Sequence, residues 1–211
     1  MAVNASEVTA LLLEQYPNAR LALEFSNPLE LLVATILSAQ CTDARVNAVT
    51  KELFRKYKTV QDYAQADPKI FEQAIRATGF YQSKAKRIIA CCQKLVEDFN
   101  GLVPSTLEEL VMLPGVGRKT ANMVLGNAFG QPSIAVDTHV LRVSNRLGLV
   151  DTSNPDRVEQ VLMRRIPHSQ WTVVTNALIL HGREVCTARK PRCKACRLLD
   201  QCQWPYKTNA P

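Results

Sequence analysis

LPGVGRKTANMVL, residues 113 to 125, reads as the end of one helix, a glycine hairpin and the start of a second helix. Pro114 stops the helix that carries Leu110 and Leu113, and Gly115 and Gly117 let the backbone turn where a Cβ would clash. Val116 between them can plug the core beneath. The first N–H groups of the second helix then point outward without an intrahelical partner, which makes a ready site for a phosphate oxygen. An isolated Pro-Gly-x-Gly turn is more often a plain connection. Arg118, Lys119 and Thr120 directly after it move the reading toward phosphate.

Lys119 stands in the first turn of that helix, where the dipole disfavours a cation, and beside a second cation at Arg118. A lone lysine at a helix start is ordinarily a solvated charge. The other reading is an amine nucleophile, which needs such surroundings, because a free lysine near ~10.4 is neutral only about one part in a few thousand at neutral pH. Downstream, the apolar run SIAV at 133–136 leads to Asp137 and the helical pattern THVLRVSNRL at 138–147. Asp137 is therefore a helix N-cap. A capping carboxylate can still stabilise positive charge on a sugar, although near Lys119 it would also favour the ammonium.

Working outward, helical spacing dominates and strand signals are scarce. Asn27 before Pro28 opens LELLVATILSA, and Asp67 before Pro68 opens KIFEQAIRA, each pair serving as cap and first-turn residue. Ile88, Cys92, Leu95 and Phe99 fall at helical spacing, and Asn100-Gly101 closes that segment as a left-handed stop. Ser105 with Glu108 forms a capping-box pattern ahead of LVML. An all-α protein follows. Breaks at Tyr16-Pro17-Asn18 and Gly130-Gln131-Pro132 bracket residues 21–131 as one helical lobe, with 1–20 returning to pack on 132–211.

A chain of 211 residues that is 46% hydrophobic can bury a full core, and its net charge of +7 favours a polyanionic partner through counterion release. The longest apolar run, LLVATILSA, is too short to span a bilayer, and MAVNASEVTALLL lacks a positively charged leader start. An intracellular location is expected, the cytoplasm or nucleoid in a prokaryote, with reduced thiols. Cys41, Cys91 and Cys92 read as small core thiols. Cys186, Cys193, Cys196 and Cys202 instead give Cys-x6-Cys-x2-Cys-x5-Cys, the pattern of a metal centre. Spacing alone fits zinc or an iron–sulfur cluster. Arg183, Arg189, Lys190, Arg192, Lys194 and Arg197 surround these cysteines and suit the loop to a nucleic-acid backbone.

The hairpin stretch, VDTH at 136–139 and the four cysteines occur in one order with ELLVATILSAQCTDARVN at 30–47, GFYQSKAKRI at 79–88 and LILHGREVC at 178–186. Together they resemble the endonuclease III branch of the helix-hairpin-helix DNA glycosylases over nearly the whole chain. The resemblance implies an all-α fold of two lobes with a DNA cleft between them. One is a helical barrel over 21–131 that includes the hairpin; the other, over 1–20 and 132–211, holds one 4Fe-4S cluster on Cys186, Cys193, Cys196 and Cys202.

It also implies a bifunctional DNA glycosylase and AP lyase of base excision repair, acting on oxidised pyrimidines in duplex DNA. Lys119 becomes the Schiff-base nucleophile and Asp137 its partner, with strand cleavage 3′ to the abasic site by β-elimination. Relatives specialised for adenine opposite oxidised guanine lack a lysine here. Gln40 and Phe80 are implied to fill the gap left by the extruded nucleotide, although a core position is the other reading of Phe80. Lys84, Gly115, Gly117, Arg118 and His139 complete the expected DNA contacts, with Lys86 and Arg87 beside Lys84 on a charge run that otherwise reads as a solvated face. The expected partner is double-stranded DNA carrying damaged pyrimidines or abasic sites; no membrane is involved, and the chain is a monomer. Two rivals are a monofunctional glycosylase that activates water through Asp137 and a non-catalytic DNA-binding module.

Overall fold

The computed structural model describes residues 3–207, and among them every regular element is helical. In chain order the α-helices are α1 (Ala5–Gln15), α2 (Pro28–Leu37), α3 (Asp43–Lys56), α4 (Val60–Ala64), α5 (Pro68–Ile75), α6 (Tyr81–Phe99), α7 (Leu107–Leu110), α8 (Arg118–Ala128), α9 (Thr138–Leu147), α10 (Pro155–Arg165) and α11 (Trp171–Glu184). Short 3₁₀ turns stand at Arg76–Thr78, His168–Gln170 and Cys193–Ala195. The all-α expectation therefore holds. Two compact units divide the chain: Leu21–Gln131, and the described residues up to Arg20 together with those from Pro132 onward. The outermost residues expected in the second lobe, 1–2 and 208–211, lie outside the described residues.

In Leu21–Gln131 the central element is α2, in which every residue from Leu31 to Leu37 is buried. A helix that is apolar all round belongs inside, and α3, α6 and α8 pack about it. The Asn27 side chain accepts the Glu30 N–H at 3.0 Å, and Pro28 fills a first-turn position that needs no donor. Against α6 lie α4 and α5, whose Tyr63 and Phe71 form an aromatic cluster with Tyr57, ring centroids 5.2 to 5.9 Å apart. Ile88, Cys92 and Leu95 form the buried stripe of α6, which ends at Asn100 and Gly101, both left-handed at φ 52 and 74°.

The start of α7 differs from the sequence expectation by one residue. Thr106, not Ser105, accepts the N–H of the third following residue, Glu109, at 3.3 Å, and its hydroxyl donates to Glu109 Oε2 at 2.6 Å. Ser105 is engaged elsewhere: its carbonyl accepts the side-chain amide of Gln131 at 2.9 Å, which keeps it in the loop.

In the other unit, α9 and α1 both pack on α11, and α10 lies beside α9. Val8 and Leu12 from α1 join Val140, Val143, Leu162 and Leu178 in one apolar core. Each such side chain contributes about 1.5–3 kcal/mol by leaving water. Arg165 at the end of α10 ties the N-terminal segment down, its guanidinium donating to the carbonyls of Val3 and Leu149 at 2.6 Å each.

Candidate functional site

The hairpin before α8 is built on one demanding glycine. Gly115 has φ +82°, and a Cβ there would sit 3.0 Å from Arg87 Cβ, so the turn requires glycine twice over. Gly117 does not: its φ is −94° and a Cβ would meet nothing within 4 Å. The expectation that both glycines serve the turn is thus corrected, since only Gly115 does and Gly117 leaves open space in front of the backbone. Nor does Pro114 end α7, which stops earlier at Leu110; the turn is closed instead by the Val116 N–H donating to the Leu113 carbonyl at 3.1 Å. Val116 is buried in the core beneath. Gly117 is the N-cap of α8 and supplies no side chain to cap it, and Arg118 and Lys119 follow, both exposed, in the first turn.

Two further expected residues share an unusual backbone. Gln40 and Phe80 are left-handed at φ 52 and 47°, and among the described residues only Asn100 joins them as a non-glycine with positive φ. Both are exposed, Phe80 to 68%, so Phe80 is not a core residue. Backbone strain at exposed tips is stored where the surroundings enforce it. Ser38, at the end of α2, uses its hydroxyl locally, donating to the Thr35 carbonyl at 2.8 Å.

Lys84 is a correction. Expected to follow phosphates, it is only 3% exposed, and its Nζ donates to the carbonyls of Leu37 at 2.7 Å and Thr78 at 2.8 Å. Burial pushes its ammonium below its ordinary pKa. No part of it is left to reach a phosphate. Lys86 and Arg87, its neighbours on α6, remain exposed.

Asp137 caps α9, its Oδ1 accepting the N–H groups of His139 at 2.8 Å and Val140 at 2.7 Å. Lys119 belongs to one unit and Asp137 to the other. The His139 ring is held inside its unit: it lies 3.1 Å from the Arg142 guanidinium, and a Cβ on Gly182 would come within 3.0 Å of its Nδ1. Burial first, and then the Arg142 charge, lower its pKa against the opposing pull of Asp137. Arg142 also donates to the carbonyls of Gly182 and Cys186, at 2.8 and 3.1 Å, which fixes its guanidinium beside the half-buried histidine.

Cys186, Cys193, Cys196 and Cys202 line a single cavity with Arg146 and His181, and all four are free thiols. Burial first, and then the neighbouring cysteines, push the Cys196 thiol up to about 11 and raise Cys193 and Cys202. Such thiols ionise readily only when a cation is present to accept them. Arg146, which sequence reasoning passed over, stacks on Trp204 at 4.1 Å, approaches Cys186 Sγ at 3.4 Å and donates to the carbonyls of Thr187 and Ala188. His181, also passed over, is buried with its Nε2 3.6 Å from Cys196 Sγ, and burial lowers its pKa to about 4. The available signal was a histidine inside an apolar helix that runs directly into the cysteine loop. Of the six basic residues around the loop, Arg192 donates to the Glu184 carbonyl and Arg197 pairs with Glu14 at 3.6 Å; all six are exposed.

A helical unit with a glycine hairpin, and a second that gathers four cysteines, define a class of helix-hairpin-helix protein. The model of the HhH-GPD superfamily base excision DNA repair proteins matches residues 33–168. Endonuclease III of Synechocystis sp. is 49% identical over 94% of this chain and 91% of its own, and that of Bacillus subtilis is 50% identical over 90% and 87%. Among solved structures, a trapped endonuclease III–DNA covalent intermediate superimposes with a TM-score of 0.90 at 45% identity, covering 94% of this chain and 95% of that one. The chain belongs to the endonuclease III family of this superfamily.

Proposed function

We propose that this chain excises oxidised pyrimidines from duplex DNA with Lys119 as its nucleophile. Membership of the endonuclease III family makes it a base excision repair DNA glycosylase with AP lyase activity. The observation that carries the lysine assignment is local: an exposed amine in the first turn of α8, directly after a glycine whose open face lets a DNA backbone approach uncapped N–H groups. A relative's capture as a covalent intermediate with DNA supports a nucleophile on the protein.

The damaged nucleotide leaves the stack, and weakly paired bases cost least to extrude. Lys119 Nζ attacks C1′ and the base departs with the electrons of the glycosidic bond. The C1′–O4′ bond of this adduct then breaks with its electrons leaving on O4′, and the Schiff base so formed acidifies the C2′ proton, whose loss expels the 3′ phosphate. Asp137, with Oδ1 committed to capping α9, is assigned to the positive charge that develops on the sugar. Gln40 and Phe80, strained and exposed, are assigned to fill the space that the nucleotide vacates.

The four cysteines are assigned to one 4Fe-4S cluster. All four thiols line one cavity, close enough that the neighbouring cysteines help to raise Cys193, Cys196 and Cys202. Four thiolates satisfy a 4Fe-4S centre, and membership of the endonuclease III family favours iron and sulfide over zinc. A cluster there supplies a tie across residues 186–202 that shapes the basic loop, and no step of base removal passes through it.

Borohydride reduction during reaction with a duplex containing thymine glycol tests the assignment. Wild type should be trapped on DNA, whereas Lys119→Gln, with an unchanged circular dichroism spectrum, should give no adduct. Equal trapping by both would refute Lys119. Absorption in the visible with iron and sulfide in equal amounts tests the cluster, and stoichiometric zinc would exclude it.

A further inference from the structure

We infer that Lys84 is a buried brace that sets the spacing between Gln40 and Phe80, and is thereby a positioning residue for their insertion into the duplex. This rests on the reading of that pair given above. The Lys84 ammonium lies between the carbonyl of Leu37, the last residue of α2, and that of Thr78, the last residue of the 3₁₀ turn. Carbonyls at helix ends lack intrahelical partners and carry the negative end of the helix dipole, so one cation can satisfy two at once.

From these two anchor points the chain reaches the strained tips within a few residues, and both paths are held. On the first, the Cys41 N–H donates to the Ser38 carbonyl at 3.1 Å, with Gln40 between them. On the second, the Thr78 hydroxyl donates to the Ile75 carbonyl at 2.8 Å, and the Lys84 N–H itself donates to the Phe80 carbonyl at 3.1 Å. The Lys84 side chain thus ties the segment leading to Phe80 and the segment leading to Gln40 to one point, while its N–H closes the first turn of α6 as any residue there would. A buried ammonium is a costly way to fill space that a methionine would fill with no charge to desolvate. What the charge adds is a fixed link between two loops that both carry a left-handed, exposed side chain.

Lys84→Met keeps most of the stem and removes the link. Three readouts separate bracing from general stability: kcat/KM on a duplex carrying thymine glycol, the fluorescence of 2-aminopurine opposite the lesion, and cleavage at an abasic site in single-stranded DNA, where no opposing base is displaced. Lys84→Met should lose tenfold or more in kcat/KM on the duplex and most of the 2-aminopurine signal, while single-strand cleavage stays within twofold of wild type. Gln40→Ala with Lys84→Met should fall little below Gln40→Ala alone, because both changes remove one function. Equal losses on both substrates, no loss on either, or independent losses in the double variant would overturn the brace. If Lys84→Met does not fold, Lys84→Arg retains donors for both carbonyls but lengthens the reach; the same duplex-specific loss is expected, and unchanged duplex activity overturns the inference. Should Gln40→Ala and Phe80→Ala leave the 2-aminopurine signal intact, the insertion reading itself fails and the brace with it. If they abolish it while Lys84→Met does not, only the brace fails.

Discussion

Gly115 and Gly117 stand two apart in one hairpin and answer to different demands. An alanine at 115 must adopt φ +82° with its methyl 3.0 Å from Arg87 Cβ, and should cost about 1–3 kcal/mol of stability, read from urea unfolding. Alanine at 117 meets nothing within 4 Å and should stay within about 0.5 kcal/mol of wild type while weakening duplex affinity, because its methyl occupies the space left for the DNA backbone. Unchanged affinity in Gly117→Ala would remove that face of the hairpin from the DNA contact. The sequence displays two identical residues here. It could not tell them apart, because the difference lies in where α6 places Arg87. Lys84 was misjudged for a related reason: it reads as one more cation beside Lys86 and Arg87. Yet it falls four residues before Ile88 and so on the same face as Ile88, Cys92 and Leu95, the one clue to its burial.

Helix α6 also carries two adjacent thiols whose chemistry sets a stability window. Burial pushes the Cys91 thiol up to about 12 and raises Cys92 further, with Cys91 as a second cause. The neutral form is therefore favoured in the folded chain, which keeps protons that the unfolded chain releases above about pH 8.5. The stabilisation is full below that pH and is lost as pH climbs through the range up to the folded value. Urea midpoints should accordingly fall between about pH 8 and about pH 10, and less steeply in Cys91→Ala than in wild type. Parallel slopes would contradict the assignment. At the level of elements the sequence was informative where caps and stripes were strong: Asn27-Pro28, Asp67-Pro68 and the Asn100-Gly101 stop all stand where expected. It slipped at α7, because Ser105 and Thr106 both qualify as caps and a distant Gln131 decides between them.

At the scale of the whole molecule, the net charge of +7 makes DNA affinity salt-dependent. Lys190 and Lys194, exposed on the cysteine loop, should each lower the slope of log affinity against log salt by about 1 when changed to alanine, with little dependence on lesion identity. An unchanged slope would place the loop off the backbone. Cys196→Ser should lose iron and lower the melting temperature, since it removes one of the four thiols on which the cavity converges; retained iron would argue against that ligand. The all-helical class and the family were legible from motif order, whereas Arg146 and His181 behind the cysteines were not, because their roles appear only when α9 and α11 meet the loop. The placement of α1 on α11 carries a kinetic consequence. During translation the apolar stripe of Val8 and Leu12 emerges before Leu21–Gln131, all of which is made before its docking surface exists. The unit Leu21–Gln131 can thus complete its own core on the ribosome while α1 waits exposed, and closure of this long sequence separation should be the slow phase of refolding, abolished by Leu12→Asp and retained in Leu110→Ala.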